Sequence, residues 1–257
     1  MNDELRISAN TAPADAVLPQ AASGGFLGIV MLDTRFPRPL GDIGHPDSFG
    51  VATRRAIVHG AWPDKVVASA AGLRSAGLLP AFAAMARQLE SDGARAITTS
   101  CGFLVLLQRE LQAQVKVPVV SSSLLQLPDL LQQDEQVGVL TISARHLGPE
   151  HLRAAGVKPD QLGRVLVQGV DPAGPFATAI LGNLEAMDLD QARDDVLKAA
   201  LALRARAPGL RSVVLECTNM PPYAQAIADA TGWQVRSLLD SQRLLAPFKP
   251  LPAVPGR

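Results

Sequence analysis

GARAITTSCGF (Gly93–Phe103) and GLRSVVLECTN (Gly209–Asn219) are two versions of one pattern: a glycine, an arginine, a short β-branched run, then a cysteine. They contain the chain's only two cysteines, Cys101 and Cys217, which lie 116 positions apart (217 − 101). The same offset sets Gly93 on Gly209, Arg95 on Arg211 and VPVVS (Val117–Ser121) on WQVRS (Trp233–Ser237). Upstream the offset shortens slightly, as a change in one loop requires. LGIVMLDTR (Leu27–Arg35) falls on VGVLTISAR (Val137–Arg145), pairing Gly28 with Gly138, Asp33 with Ser143 and Arg35 with Arg145. RAIVHG (Arg55–Gly60) falls on RVLVQG (Arg164–Gly169). Any one match could be chance among strand-like words, but four in the same order mark an internal duplication.

Each half alternates short apolar runs with longer amphipathic stretches. Strands are expected at Phe26–Leu32, Arg55–Val58, Arg95–Thr99 and Val117–Val120, then at Val137–Thr141, Val165–Gln168, Ser212–Leu215 and Gln234–Leu238. They are continuously apolar, as strands of a parallel sheet covered on both faces are. Helices are expected at Leu79–Glu90, Leu104–Gln114, Leu124–Gln133, His151–Ala155, Leu189–Ala207 and Tyr223–Ala230. The fold class is therefore α/β: two pseudo-twofold-related, Rossmann-like lobes with parallel sheets and an active site in the cleft between them. The lobes are placed at 26–122 and 123–237. Residues 1–25 read as a flexible tail, and 238–257 as a segment returning to the first lobe.

Composition narrows the function. With 257 residues, 47% hydrophobic and 19% charged, the chain can bury a large core. Its formal net charge is zero and its basic residues form no block, which argues against nucleic acid. No apolar run approaches the roughly 20 residues of a membrane helix. The N-terminal stretch lacks a basic start and an apolar core, so a signal peptide is not expected. With only two cysteines, a reduced, cytoplasmic setting is expected rather than a disulfide framework. His146 and His151 lack the acidic neighbour of a zinc motif, and neither a phosphate-binding loop nor a nucleophile elbow occurs. No metal and no cofactor is called for.

Both cysteines stand at carboxyl ends of strands, where open parallel sheets collect ligands. Backbone N–H groups of Gly102, Phe103, Thr218 and Asn219, at the helix starts that follow, can hold anions. They are expected to draw the thiol pKa down from about 8.5 toward neutrality. Two thiols facing one another across a cleft can remove a proton from one face of a carbon and return one to the other.

TTSCGFL (Thr98–Leu104) and LECTNMPPY (Leu215–Tyr223) resemble the two cysteine motifs of the aspartate/glutamate/hydantoin racemase superfamily. The resemblance runs from about Phe26 to Leu245. It implies cofactor-independent proton transfer at the α-carbon of an amino acid or similar small carboxylate, with Cys101 and Cys217 as the acid/base pair. It also implies that Asp33 and Thr34 position an amino group, that Thr218 contacts a carboxylate, and that Thr141 and Ser143 line the site. Arg35, Ser100, Gly102, Phe103 and Asn219 complete the candidate substrate-binding set. Asn219 stands where glutamate racemases carry a histidine, and DTRFPRPLGDIGHPDSFG (Asp33–Gly50) is a long loop that can act as a lid. The superfamily also contains a cysteine-dependent cis–trans isomerase and an arylmalonate-type decarboxylase, and these are alternatives, as is a non-enzymatic small-molecule binder. The expected partner is a small carboxylate substrate; by analogy, the assembly is a homodimer.

Overall fold

A computed structural model of the chain describes residues 25–67 and 77–249. Of the tail read from sequence at 1–25, residues 1–24 lie outside them, as do residues 250–257 of the segment 238–257. All eight expected strands form: β1 (Phe26–Leu32), β2 (Thr53–Val58), β3 (Ala94–Thr99), β4 (Val119–Val120), β5 (Val137–Thr141), β6 (Val165–Gly169), β7 (Ser212–Leu215) and β8 (Gln234–Arg236). They make two four-stranded sheets, ordered β2-β1-β3-β4 and β6-β5-β7-β8. Every pairing is parallel. The second order is the first with four added to each number, so the sequence duplication is a duplication of topology. β1 and β5, an inner strand of each sheet, are buried along their whole length.

Two repeat-equivalent glycines set how closely the helices lie on these strands. A Cβ at Gly28 would press on Leu89 and Ala94, and one at Gly138 on Leu210 and Leu203. Leu89 belongs to the helix Leu79–Ser91 and Leu203 to the helix Leu189–Arg206, one in each lobe. The larger core includes buried residues of both lobes, from Val30 and Phe82 to Val139 and Leu203. On the other face of the first sheet, Leu27, Ile29, Met31 and Ala96 pack with Leu238 and Leu244.

Local differences from the expected helices matter at the cleft. The stretch expected as one helix from Leu104 winds first as a 3-10 turn, Gly102–Leu107, and then as the short helix Gln108–Gln112. The tight winding starts at Cys101 itself, whose carbonyl accepts from Leu104 N–H at 3.1 Å. After the second cysteine, Pro221–Tyr223 forms a 3-10 turn before the helix Ala224–Thr231, which Gly232 closes at φ 75°. The helix Pro175–Leu181 has no counterpart in the sequence reading. It is only two turns long and lies among Gly and Pro residues, so its period is too short to read.

Candidate active site

The loops after β3 and β7 meet where the two sheets point their carboxyl ends at one another. Cys101 and Cys217 line one cavity there, of about 340 Å³ including its open mouth, and both are buried. Ser100, Gly102, Phe103, Thr218 and Asn219 line it too, with Glu216. The remaining wall is apolar: Leu32, Phe36, Pro63 and Val67 from the first lobe, Ile142 and Ile180 from the second. Ile180 comes from the short helix absent from the sequence reading.

Hydrogen bonds between the lobes hold the two cysteine loops in register. Thr218 Oγ1 donates to the Ser100 carbonyl at 2.7 Å across the cleft, and within the second lobe Ser123 Oγ donates to the Leu215 carbonyl at 2.6 Å. Ser100 Oγ accepts from Leu32 N–H at 2.9 Å, fixing the first cysteine loop to the end of β1. The thiol of Cys217 donates to Asn219 Oδ1 at 3.7 Å. Asn219 Nδ2 donates in turn to Asp42 Oδ2 at 2.6 Å, a contact spanning 177 positions in sequence. Arg38 binds the other oxygen of Asp42 at 2.6 Å, donates to Thr34 Oγ1 at 2.8 Å, and lies over the Phe36 ring. The Asp33–Gly50 loop is thus pinned to the second cysteine loop by a buried polar chain, reinforced where Ile43 N–H donates to the Thr218 carbonyl.

The other candidate residues fall around this centre. Thr34 is tied to it through Arg38. Asp33 Oδ2 accepts from Gly60 N–H at 2.9 Å, while the Asp33 carbonyl and Arg35 N–H are clamped by Asn183 of the second lobe. The Arg35 side chain is mostly exposed and pairs with Glu185. Thr141 is buried behind Glu216, and Ser143 Oγ pairs with His146 Nδ1 at 2.9 Å. Asp33, Arg35, Thr141 and Ser143 therefore frame the cavity without lining it.

Sequence reasoning missed Glu216 and Asp42. Glu216 is 1% exposed. Its Oε2 accepts from Thr141 Oγ1 at 2.6 Å, and its Oε1 has no hydrogen-bond partner among the described residues. The signal was present: Glu216 ends an otherwise apolar run and is the repeat partner of Ser100. A charged residue at a strand end ordinarily reads as solvated.

Electrostatics also depart from expectation. Burial pushes the Cys101 thiol up to about 12, with the Glu216 charge adding to it. Backbone N–H groups of Phe103 and Leu104 and the Arg38 cation pull the other way but are outweighed. Burial likewise drives Cys217 well above the ordinary thiol range, against the pull of the Asn219 backbone N–H. The donors at the helix starts do face the sulfurs, but desolvation within apolar walls is the larger effect. Burial raises the Glu216 carboxyl to about 8, with the Thr141 hydrogen bond opposing. At neutral pH the pocket therefore holds two thiols and a largely protonated carboxyl.

Two cysteine loops at equivalent ends of duplicated parallel sheets, closed over one cavity, define a class: pseudosymmetric α/β proteins with a paired-cysteine cleft. The sequence profile of the Asp/Glu/hydantoin racemase family matches residues 65–247, and the chain belongs to that family. It is 30% identical over 216 residues to a dimethylsulfoniopropionate lyase of Durusdinium sp. clade D, covering 81% of this chain and 70% of that one. It is also 30% identical over 220 residues to dimethylsulfoniopropionate lyase 3 of Emiliania huxleyi, covering 80% of this chain and 55% of that one. The chain thus spans little more than half of the longer relative. Among solved structures, glutamate racemase RacE1 of Bacillus anthracis shares the fold, with a TM-score of 0.55 at 14% identity over 87% of this chain and 80% of that one.

Proposed function

We propose that this protein is a cofactor-independent lyase that removes the α-proton of a small 3-sulfoniocarboxylate, dimethylsulfoniopropionate being the substrate its relatives point to. A cysteine thiolate takes the α-hydrogen as a proton. The C–H electron pair becomes the Cα–Cβ double bond, and the Cβ–S pair leaves on sulfur. The thiolate and zwitterion become a thiol, acrylate and neutral dimethyl sulfide, so charge balances.

The observation that carries this reading is the cavity itself: two buried cysteines within a largely apolar wall that presents no uncommitted cation among the described residues. Arg38, the guanidinium acting on Cys101, is already committed to Asp42 and Thr34. A thiolate forms in such a place only when a positive charge comes in with the ligand. A sulfonium brings that charge without N–H groups that would demand acceptors, and its methyl groups suit Leu32, Phe36, Val67, Ile142 and Ile180.

Racemisation between two cysteines is the second reading, favoured by the duplication. It asks for two bases in matched settings. The flanks here differ, Ser100 beside Cys101 and Glu216 beside Cys217, which suits a reaction run from one face. Proton NMR in D2O decides between them, with dimethylsulfoniopropionate and a panel of L- and D-amino acids and hydantoins, on the wild type, Cys101→Ala and Cys217→Ala. Vinyl signals of acrylate, abolished by loss of one cysteine and reduced less by loss of the other, support the lyase. Loss of an α-proton signal that requires both cysteines, without vinyl product, replaces it with racemisation. No conversion of any compound sinks both.

A further inference from the structure

The buried carboxyl beside Cys217 is not used by the proton transfer above, yet it faces the same cavity. Its two oxygens are in different situations. Oε2 accepts the Thr141 hydroxyl, which itself accepts from Ser143 N–H at 3.3 Å. An oxygen occupied as an acceptor leaves the acid proton to the other, and Oε1 has no partner among the described residues. Gly102 makes room for it, since a Cβ there would overlap both the Glu216 carbonyl oxygen and Oε1. Oε1 therefore sits in the gap between the two cysteine loops.

We propose that Glu216 carries its proton on Oε1 and donates it in a hydrogen bond to the substrate carboxylate, opposing the charge that builds there as the α-proton leaves. This rests on the lyase reading and adds to it the group that holds the carboxylate end. A buried carboxylic acid kept neutral is a strong donor to an anion, whereas an ionised one would repel it. The arrangement places an acid, rather than a cation, at the carboxylate end. The sulfonium is then the one new positive charge in the pocket and remains free to favour the thiolate. Among the described residues, Cys101 from the loop after β3, Cys217 on the same loop as Glu216, Arg38 and Asp42 from the loop after β1, and Tyr223 from the turn after Cys217 are the ionisable groups around this corner.

The test uses Glu216→Gln and Glu216→Leu with dimethylsulfoniopropionate across pH 6 to 9, and infrared difference spectra on adding acrylate. Gln keeps an N–H donor, so its kcat stays within about tenfold of wild type while the alkaline fall in kcat/KM disappears. Leu has no donor, and its kcat falls about 100- to 1000-fold, the loss typical of a transition-state donor. A folded Leu variant with kcat within about threefold of wild type overturns the proposal. Should the Leu variant not fold, an unchanged alkaline limb in the Gln variant does the same. The infrared arm is independent of turnover: a protonated carboxyl band, absent from the Gln variant, must shift when acrylate binds. A band that is missing, or that acrylate leaves in place, overturns the role of Glu216 even if the wild type turns over nothing. A wild type without lyase activity whose band shifts on acrylate refutes the lyase reading alone.

Discussion

Replacing Glu216 by Gln isolates the thermodynamic cost of burying that carboxyl. The group prefers its proton in the folded protein, with its pKa raised from 4.5 to about 8, mainly by burial. Below pH 4.5 both folded and unfolded chains hold the proton, and the group does not affect stability. Between 4.5 and about 8 only the unfolded chain ionises, so each rise in pH favours unfolding by up to about 1.4 kcal/mol per unit. Above about 8 both states are ionised and the loss levels off. Integrated from pH 5 to pH 8, wild type loses about 3 kcal/mol of stability through this one group. Both thiols are shifted upward from 9.0, so neither interferes in this window. Gln fills the same space, accepts from Thr141 with its carbonyl oxygen, and has no proton to lose. Urea unfolding at pH 5, 6, 7 and 8 reads the difference. With a slope of about 3 kcal/mol/M, the wild-type midpoint should fall about 1 M more than that of Glu216→Gln across the series. Parallel midpoints for the two proteins would refute the reasoning, because they would mean that Glu216 is ionised, and stabilised, when folded.

Two further outcomes follow from the same geometry. Asp42→Ala strands both Asn219 Nδ2 and the Arg38 guanidinium in the interior; the expected cost is about 3 to 5 kcal/mol, measured by urea unfolding, with Asp42→Asn less harmful. A loss under about 1 kcal/mol would show that the Asp33–Gly50 loop opens freely instead of being fixed across the cleft. Alkylation of the native, ligand-free protein by iodoacetamide at pH 7.5 should be far slower than that of a free thiol, because Cys101 holds its proton to about 12. Rapid modification of either cysteine under those conditions would contradict the burial argument.

How far the sequence could be read depends on the range of each interaction. The strands were legible because a parallel strand covered on both faces needs an unbroken apolar run, as in Phe26–Leu32 and Val137–Thr141. The helix Pro175–Leu181, which places Ile180 in the cavity wall, was not: two turns among glycines and prolines carry no readable period. Thr218 and Asn219 were visible as neighbours of a cysteine, but their partners, the Ser100 carbonyl and Asp42, lie 118 and 177 positions away.

The duplication, the parallel α/β architecture and the placing of both cysteines at strand ends are legible in the chain alone, because each is written in contiguous residues and a nearly constant offset. The charge states within the site are set by the folded arrangement instead. Neighbouring N–H groups predict low thiol pKa values, but folding buries both sulfurs and Glu216 against apolar walls drawn from both lobes. Desolvation depends on everything that surrounds a group, and here much of what surrounds it lies far away along the chain.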